Sequence, residues 1–178
     1  MRAVFLDRDG VINRYRGDHV RSARDFEYYE FAEEAFRMLA ATGLPIVVIT
    51  NQSAIGRGYT TEGEVMAIHK RLARDAARWG APIAAIEHCP HTPAEDCRCR
   101  KPEVELFERA AERLSLTLAG SFMVGDAPAD VEAGHRLGMT TLRVATGRGG
   151  ERLPEGVAAD WQGDDLLAAA RWIAARCR

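Results

Sequence analysis

Strand-like apolar runs alternate with segments of helical periodicity along the chain, and this alternation limits the possible folds more than any other feature. The runs occupy residues 3–7, 45–50, 83–87, 122–126 and 141–145. Apolar residues recur at helical spacing in residues 32–41, 62–79, 104–114, 131–137 and 166–175. Because the runs are mostly continuous rather than alternating, they indicate strands that are covered on both faces. The sequence therefore predicts an α/β fold with a doubly wound, Rossmann-like parallel sheet flanked by helices.

The size and charge of the chain exclude several classes of protein. A length of 178 residues suits one domain, which we expect to span residues 1–178. Its 24 Lys and Arg against 26 Asp and Glu give a net charge of −2, without the positive field that nucleic-acid binding needs. The apolar runs are far shorter than the roughly 20 residues of a membrane span, and Asp7 interrupts any signal-peptide core. We expect a cytoplasmic monomer or weak oligomer without nucleic-acid or membrane partners.

Three of the strand-like runs end in side chains that can carry chemistry. These residues are Asp7, Thr50 and Asp126. In an open parallel sheet, ligands bind outside the carboxyl ends of the strands. We therefore expect the three side chains to share one cleft.

Asp7 and Asp9 lie two residues apart where the first run opens into a turn at Gly10. A carboxylate is ionised at neutral pH, so Asp7 can attack a phosphoryl group directly and form an aspartyl phosphate. Asp9 would then protonate the departing oxygen and later deprotonate water. We expect the neighbouring carboxylate and an anionic substrate together to raise the pKa of Asp9, which suits an acid. The pair predicts phosphoryl transfer with a covalent intermediate.

Two carboxylates that meet a phosphate need a cation between them. Asp126 offers a further oxygen ligand, and Mg²⁺ prefers oxygen ligands and bridges carboxylates to phosphates. Lys101 and Arg100 can neutralise the remaining charge, while Thr50 and the N–H groups after it can hold phosphoryl oxygens. Each of these residues alone is unremarkable in a protein sequence. Their joint order at the strand ends favours an active site.

Four short motifs resemble, in order, those of the haloacid dehalogenase (HAD) superfamily of phosphatases, over residues 3–145. The motifs are residues 7–10, 50–53, 101–102 and 125–130. The resemblance implies a HAD-type fold, a nucleophile at Asp7, an acid/base at Asp9, and phosphoryl binding by Thr50 and Lys101. It also implies magnesium held by Asp7, the Asp9 carbonyl and Asp126.

Two loops resemble, more narrowly, the subfamily of heptose-bisphosphate and histidinol-phosphate phosphatases. Residues 50–58 are similar to the substrate loop of the heptose enzymes, which implies substrate contacts from this loop. The residues concerned are Asn51, Gln52, Ser53 and Arg57. The short interval between His91 and Cys97 is more similar to the histidinol enzymes. Arg57 and Arg100 are candidates for binding a second phosphate or another acidic group.

One loop carries three thiols and one imidazole, the donor set of a closed tetrahedral zinc site. The residues are Cys89, His91, Cys97 and Cys99. This zinc loop, residues 88–100, is similar to that of both enzyme groups. Structural Zn²⁺ would stiffen the segment that presents the two cations at its end. A local disulfide and buried free thiols are the alternatives.

Three other segments give weaker expectations. Residues 14–30 are polar and aromatic and predict a small flap at the sheet edge. Residues 147–150, with three glycines, predict a flexible loop. We expect His69 to lie on the surface of its helix.

Together these features predict a magnesium-dependent phosphomonoester hydrolase that acts on a small phosphorylated metabolite. A heptose 1,7-bisphosphate is the first candidate substrate because of residues 50–58. Histidinol phosphate is the second, because of the short zinc loop. A zinc-stabilised binding module with a vestigial active site is an alternative of another class, since Val11 and Ala127 depart from the residues usual at these positions.

Overall fold

A computed structural model describes residues 1–177 of the chain. Within them the six strands are β1 Val4–Leu6, β2 Ile46–Asn51, β3 Ile83–Cys89, β4 Phe122–Gly125, β5 Thr140–Val144 and β6 Trp161–Gly163. The five α-helices are α1 Ala32–Ala40, α2 Glu62–Arg78, α3 Glu105–Leu114, α4 Pro128–Arg136 and α5 Leu166–Ala174, and a short 3₁₀ helix covers Pro93–Glu95.

All six strands form one parallel sheet in the order β3-β2-β1-β4-β5-β6. The central strand β1 pairs on both sides, with Leu6 opposite Val48 of β2 and Val124 of β4. The chain order reverses at β1, and ligand clefts form at such switch points. The predicted doubly wound parallel sheet is confirmed.

The two faces of the sheet carry separate apolar cores because successive strand residues point to opposite sides. Val4 and Leu6 of β1 pack in the core that contains residues of α1, α2 and α5. Phe5 packs in the core that contains residues of α3 and α4, with its ring centroid 5.5 Å from that of Phe107. Each fully buried Leu or Phe side chain stabilises the fold by about 1.5–3 kcal/mol. Burial on both faces fixes the position at which β1 ends.

Two elements differ from the sequence prediction. Strand β6 has only three residues, and its sequence of Trp161, Gln162 and Gly163 gives no apolar run. It is added to the sheet edge by pairing with β5. Helix α4 begins at Pro128 rather than at residue 131, since proline is tolerated in the first turn.

Residues 14–30 form turns that lie against α2. Arg71 of α2 donates a hydrogen bond to the Phe26 carbonyl (3.2 Å), and the Tyr28 hydroxyl donates one to Asp75 (3.1 Å). These contacts attach the carboxyl-terminal end of the predicted flap to helix α2. Within residues 1–177, no helix is long and apolar enough to cross a bilayer.

Candidate active site

The predicted cleft lies at the carboxyl ends of β1, β2 and β4. Asp7 directly follows β1, Thr50 lies near the end of β2, and Asp126 directly follows β4. All three line one cleft, as predicted from the strand ends. The backbone N–H of Asp7 donates to the Val124 carbonyl (2.9 Å), which extends the pairing of β1 and β4 up to Asp7.

Lys101 crosses the floor of this cleft with its ammonium buried. Its Nζ lies 2.9 Å from Asp7 Oδ1 and 2.6 Å from Asp130 Oδ1, and it donates to the Ile49 carbonyl at 2.7 Å. Burial alone would lower the pKa of Lys101, but the charges of Asp130 and Asp7 raise it above its ordinary value. The cleft therefore keeps a permanent positive charge beside Asp7.

The carboxylates of Asp7, Asp126 and Asp130 together carry more negative charge than the single Lys101 ammonium can neutralise. Burial raises the pKa of Asp7, and the Lys101 ammonium offsets only part of this effect. Burial, together with repulsion from Asp7 and Asp130, raises the pKa of Asp126 as well. Such shifts mean that the charged forms are unfavourable without a further cation.

The geometry of the three carboxylates suits a divalent cation. Asp7, Asp126 and Asp130 each offer an oxygen within 4.8 Å of the others. Asp126 Oδ2 accepts a hydrogen bond from the Arg148 N–H (2.6 Å), whereas the buried Oδ1 has no hydrogen-bond partner among the described residues. A buried carboxylate oxygen without a partner is costly, and an oxygen-preferring ion such as Mg²⁺ would satisfy it.

The carboxylate cluster includes Asp130, which was not among the predicted magnesium ligands. Those were the side chains of Asp7 and Asp126 and the carbonyl of Asp9. Asp130 Oδ2 accepts a hydrogen bond from the Ala127 N–H (3.0 Å) at the start of α4, and its Oδ1 contacts Lys101. Asp130 therefore orients Lys101 and the amino end of α4. The role of the Asp9 carbonyl stays a prediction.

The Asp9 carboxylate is held by a network of hydrogen bonds. Arg8 donates to Oδ1 and Oδ2 (3.1 and 3.0 Å), Asn13 to Oδ1 (2.8 Å) and Gln52 to Oδ2 (2.8 Å). Burial alone would raise the pKa of Asp9, but the Arg8 charge and these hydrogen bonds outweigh it and lower the pKa. The neighbouring carboxylate alone therefore does not raise the pKa of Asp9, because the adjacent Arg8 is a buried cation. The expected effect of an anionic substrate stays a prediction.

Asn51, Gln52 and Ser53 of the predicted substrate loop all line the cleft, and the first two also hold other site residues in place. The Gln52 amide also donates to the Thr50 hydroxyl (2.8 Å), so it fixes two site residues. The Asn51 side chain bonds both the N–H and the carbonyl of Lys101 (3.0 and 3.2 Å). Ser53 is buried at the cleft wall.

The two predicted arginines occupy different places. Arg100 lines the cleft and donates to the His91 carbonyl (3.3 Å), which ties it to the cysteine-rich loop. Arg57 lies in an exposed turn and is not among the residues that line the cleft. Burial and the charge of Arg57 nevertheless both lower the pKa of His19 and of Arg100, which line the cleft. The predicted contact of Arg57 with substrate stays a prediction.

Several cleft residues were missed by the sequence analysis. Tyr15, Arg16 and His19 reach the cleft from the flap, and Arg148 reaches it from the loop after β5. His19 has a φ of 69°, a conformation that is uncommon for residues other than glycine. Arg8 and His69 lie below the cleft, fully or almost fully buried. The prediction that His69 is a surface residue is wrong. Its imidazole is buried against the guanidinium of Arg8, which is 61 residues away in sequence.

The loop predicted to be flexible, residues 147–150, forms part of the wall. The Thr146 hydroxyl donates to the Gly10 carbonyl (2.6 Å). A Cβ on Gly147, which has a φ of 60°, would lie 2.1 Å from Asp126 Oδ2 and 2.6 Å from the Cα of Gly10. Glycine is therefore required at this position for the loop to reach Asp126.

The four predicted zinc ligands converge on one point. The sulfurs of Cys89, Cys97 and Cys99 lie 3.1–3.5 Å apart. The Nδ1 atom of His91 lies 3.2 Å from Cys99 Sγ and 3.6 Å from Cys89 Sγ. These separations exceed the about 2.05 Å of a disulfide, and they are close to the about 3.8 Å between sulfurs in a zinc tetrahedron. The arrangement fits a metal better than a disulfide.

Comparison with known proteins finds phosphatases that are similar to most of this chain. The model of the HAD-hydrolase-like family matches residues 98–169. The D-glycero-beta-D-manno-heptose-1,7-bisphosphate 7-phosphatase of Pseudomonas putida is 36% identical over 172 residues, which cover 96% of this chain and 98% of that protein. The D-glycero-alpha-D-manno-heptose-1,7-bisphosphate 7-phosphatase of Photorhabdus laumondii is 35% identical over 146 residues, 78% of this chain and 79% of that protein.

A solved structure gives the same result at the level of the fold. The D,D-heptose 1,7-bisphosphate phosphatase of B. bronchiseptica, complexed with magnesium and phosphate, superposes with a TM-score of 0.89. The two sequences are 32% identical, and the alignment covers 99% of each chain. The chain therefore belongs to the HAD superfamily of phosphatases, in the family of the heptose-1,7-bisphosphate 7-phosphatases.

Proposed function

We propose that this chain is a magnesium-dependent phosphatase that removes the 7-phosphate of D-glycero-D-manno-heptose 1,7-bisphosphate through an aspartyl phosphate on Asp7. One observation carries the proposal. Asp7 shares a cleft with Lys101 and with Asp126, whose buried Oδ1 has no hydrogen-bond partner among the described residues. The relatives that act on this substrate are similar over nearly the whole chain.

Asp7 is the nucleophile in this proposal. The Arg8 N–H (2.7 Å) and the Lys101 ammonium (2.9 Å) both contact its Oδ1. These contacts orient the carboxylate and leave Oδ2 to attack phosphorus, with departure of the sugar oxygen. Thr50 and Lys101 hold the phosphoryl oxygens, and Lys101 offsets part of their charge.

Asp9 carries the proton in both half-reactions. It protonates the departing sugar oxygen first, and it deprotonates the water that hydrolyses the aspartyl phosphate afterwards. Arg8 and the hydrogen bonds around it keep its pKa low, so Asp9 is a carboxylate before the substrate binds and takes up a proton from water on binding. The negative charge of the bound phosphate is what raises the pKa of Asp9 far enough to hold the proton.

Asp7 and Asp126, with the Asp9 carbonyl, are the groups that would hold Mg²⁺. When bound, the ion neutralises carboxylate and phosphate charge and acts as a Lewis acid at the phosphoryl group. The raised pKa values of Asp7 and Asp126 support a cation at this position.

We also propose that the cysteine cluster holds structural Zn²⁺. Its three thiols and one imidazole fill the four positions of a closed site, which leaves none for catalysis. The Arg100 contact with the His91 carbonyl links this loop to the cleft. Unpaired thiols of this kind fit the reducing cytoplasm.

The test compares kcat/KM for the heptose 1,7-bisphosphate, as both anomers, with kcat/KM for histidinol phosphate. Selectivity of this kind rests on a few polar contacts. We expect the heptose bisphosphate to be preferred by at least about tenfold. Preference for histidinol phosphate, which the short zinc loop favours, would contradict the substrate assignment but keep the chemistry.

Asp7→Asn tests the chemistry itself. We expect this variant to lose activity by on the order of 10³-fold or more, because the amide is a poor nucleophile. The exposed Asp164→Asn is the matched control and should retain full activity. An equally active Asp7→Asn enzyme would exclude Asp7 as the nucleophile, whereas an inactive wild-type protein would favour the binding-module alternative.

A further inference from the structure

We infer that His69 is a positioning residue for proton transfer, acting through Arg8 on the Asp9 carboxylate. The inference rests on the proposed function, in which Asp9 carries the proton. It arises from a buried line of side chains that runs from the cleft to the face of α2 beneath it.

Arg8 is the middle member of this line and is completely buried, with 0% of its surface exposed. Its Nη2 donates to both carboxylate oxygens of Asp9 and to the side-chain oxygen Oε1 of Gln52 (3.0 Å). Its Cζ atom lies 5.7 Å from the centroid of the Phe26 ring. The position of the guanidinium therefore determines where the Asp9 carboxylate lies.

His69 holds the opposite edge of the guanidinium. Its Nε2 lies 3.1 Å from Arg8 Nη1. Because a guanidinium can only donate, Nε2 must be the acceptor, and the imidazole proton must lie on Nδ1. His69 is only 4% exposed, so water cannot take over the acceptor role without rearrangement.

The loss of this acceptor would move Arg8. The Nε atom of Arg8 already has no hydrogen-bond partner among the described residues. A second unpaired N–H on a buried guanidinium is costly, and rotation toward a new acceptor would break its two-oxygen contact with Asp9. His69 thus sets the orientation of the catalytic acid/base without touching the substrate.

The choice of substrate separates positioning from general support of the fold. Departure of a sugar alkoxide needs a proton from Asp9, whereas departure of p-nitrophenolate hardly does, because this leaving group is already a weak base. For His69→Leu we expect kcat/KM on the heptose bisphosphate to fall about 10- to 100-fold. On p-nitrophenyl phosphate we expect a fall of less than about threefold.

His69→Gln retains a side-chain acceptor and should restore much of the activity on the sugar phosphate. His135 lies at the exposed end of α4. His135→Leu is therefore the matched control and should leave kcat/KM unchanged on both substrates. Equal losses of His69→Leu on both substrates, or no rescue by His69→Gln, would overturn the inference. Failure of wild-type protein to hydrolyse either substrate would instead overturn the proposed function.

A measurement on the wild-type protein does not depend on the folding of a variant or on activity. In ¹⁵N NMR spectra we expect His69 to be a neutral imidazole with its proton on Nδ1 and a hydrogen-bonded Nε2. Detection of the Nε2-protonated tautomer would contradict the contact with Arg8 and so the inference.

Discussion

At the scale of single residues, the site is a problem of buried charge. Asp7, Asp126 and Asp130 surround one buried ammonium on Lys101. Asp9 differs, because Arg8 gives it a cation of its own. The pKa is therefore raised at Asp7 and lowered at Asp9. In the proposed mechanism a bound cation must keep Asp7 ionised, and the bound phosphate must raise the pKa of Asp9.

His69 makes stability depend on pH in a defined window. Burial, together with the charges of Arg8 and His88, lowers its pKa to about 3. An unfolded chain takes up the proton near pH 6.5. The free energy of unfolding therefore falls as pH drops below about 6.5, by up to a few kcal/mol by pH 4.

The measurement is urea unfolding of wild type and His69→Gln between pH 7 and pH 4. We expect the variant to have a flatter pH dependence, whatever its stability at pH 7, because it has no imidazole to protonate. His135→Gln should retain the wild-type slope. Identical slopes for wild type and His69→Gln would show that His69 is accessible to protons in the folded protein.

At the scale of elements, loops shape the site and the sheet fixes its base. The loop after β5 places the Arg148 N–H on Asp126 Oδ2, so only Oδ1 is available for the cation. Gly147 makes this approach possible. The loop from β3 carries the cysteine cluster and then Arg100 at the cleft.

Gly147→Ala tests the contribution of the loop after β5. A Cβ at this position meets Asp126 and Gly10, so we expect Mg²⁺ affinity to fall about tenfold or more, a cost of about 1.4 kcal/mol. The readout is the Mg²⁺ dependence of Tm, which reports binding without catalysis. Gly43→Ala has a similarly positive φ of 74° but open space around it, and controls for backbone strain. Equal Mg²⁺ affinity in both variants would exclude the loop from the metal site.

Zinc content and Tm test whether the cysteine cluster holds a structural metal. We expect about one zinc per chain, and we expect Cys99→Ser to lose it and to lower Tm by on the order of 5–10 °C. Cys177, outside the cluster, provides the control, and Cys177→Ser should retain both zinc and stability. A zinc-free wild-type protein purified without chelator would contradict the assignment.

At the scale of the whole molecule, the site forms where the order of the strands along the chain reverses. Strand β1 lies between β2 and β4, so residues distant in sequence meet at three neighbouring carboxyl ends. The sequence predicts this part well, because Asp7, Thr50 and Asp126 each follow a recognisable apolar run. Sequence periodicity could not predict β6, which has no apolar run and pairs only at the sheet edge.

The unpredicted parts of the site share a physical cause. Arg148 meets Asp126 across 22 residues and Arg8 meets His69 across 61. Both contacts depend on how the loop after β5 and helix α2 pack against β1, and no local pattern reports this packing. Arg8 lies between two aspartates in the sequence, and no sequence pattern around it indicates that it is a buried cation.

If Asp7 is the nucleophile, phosphorus becomes bonded to it during turnover. Rapid-quench reaction of the magnesium-loaded enzyme with the heptose bisphosphate, followed by peptide mass spectrometry, detects this bond. We expect a phosphoryl group on the peptide that contains Asp7, formed within one turnover and absent from Asp7→Asn. Full single-turnover release of phosphate with no phosphorylated peptide, or with the phosphoryl group on another residue, would contradict it.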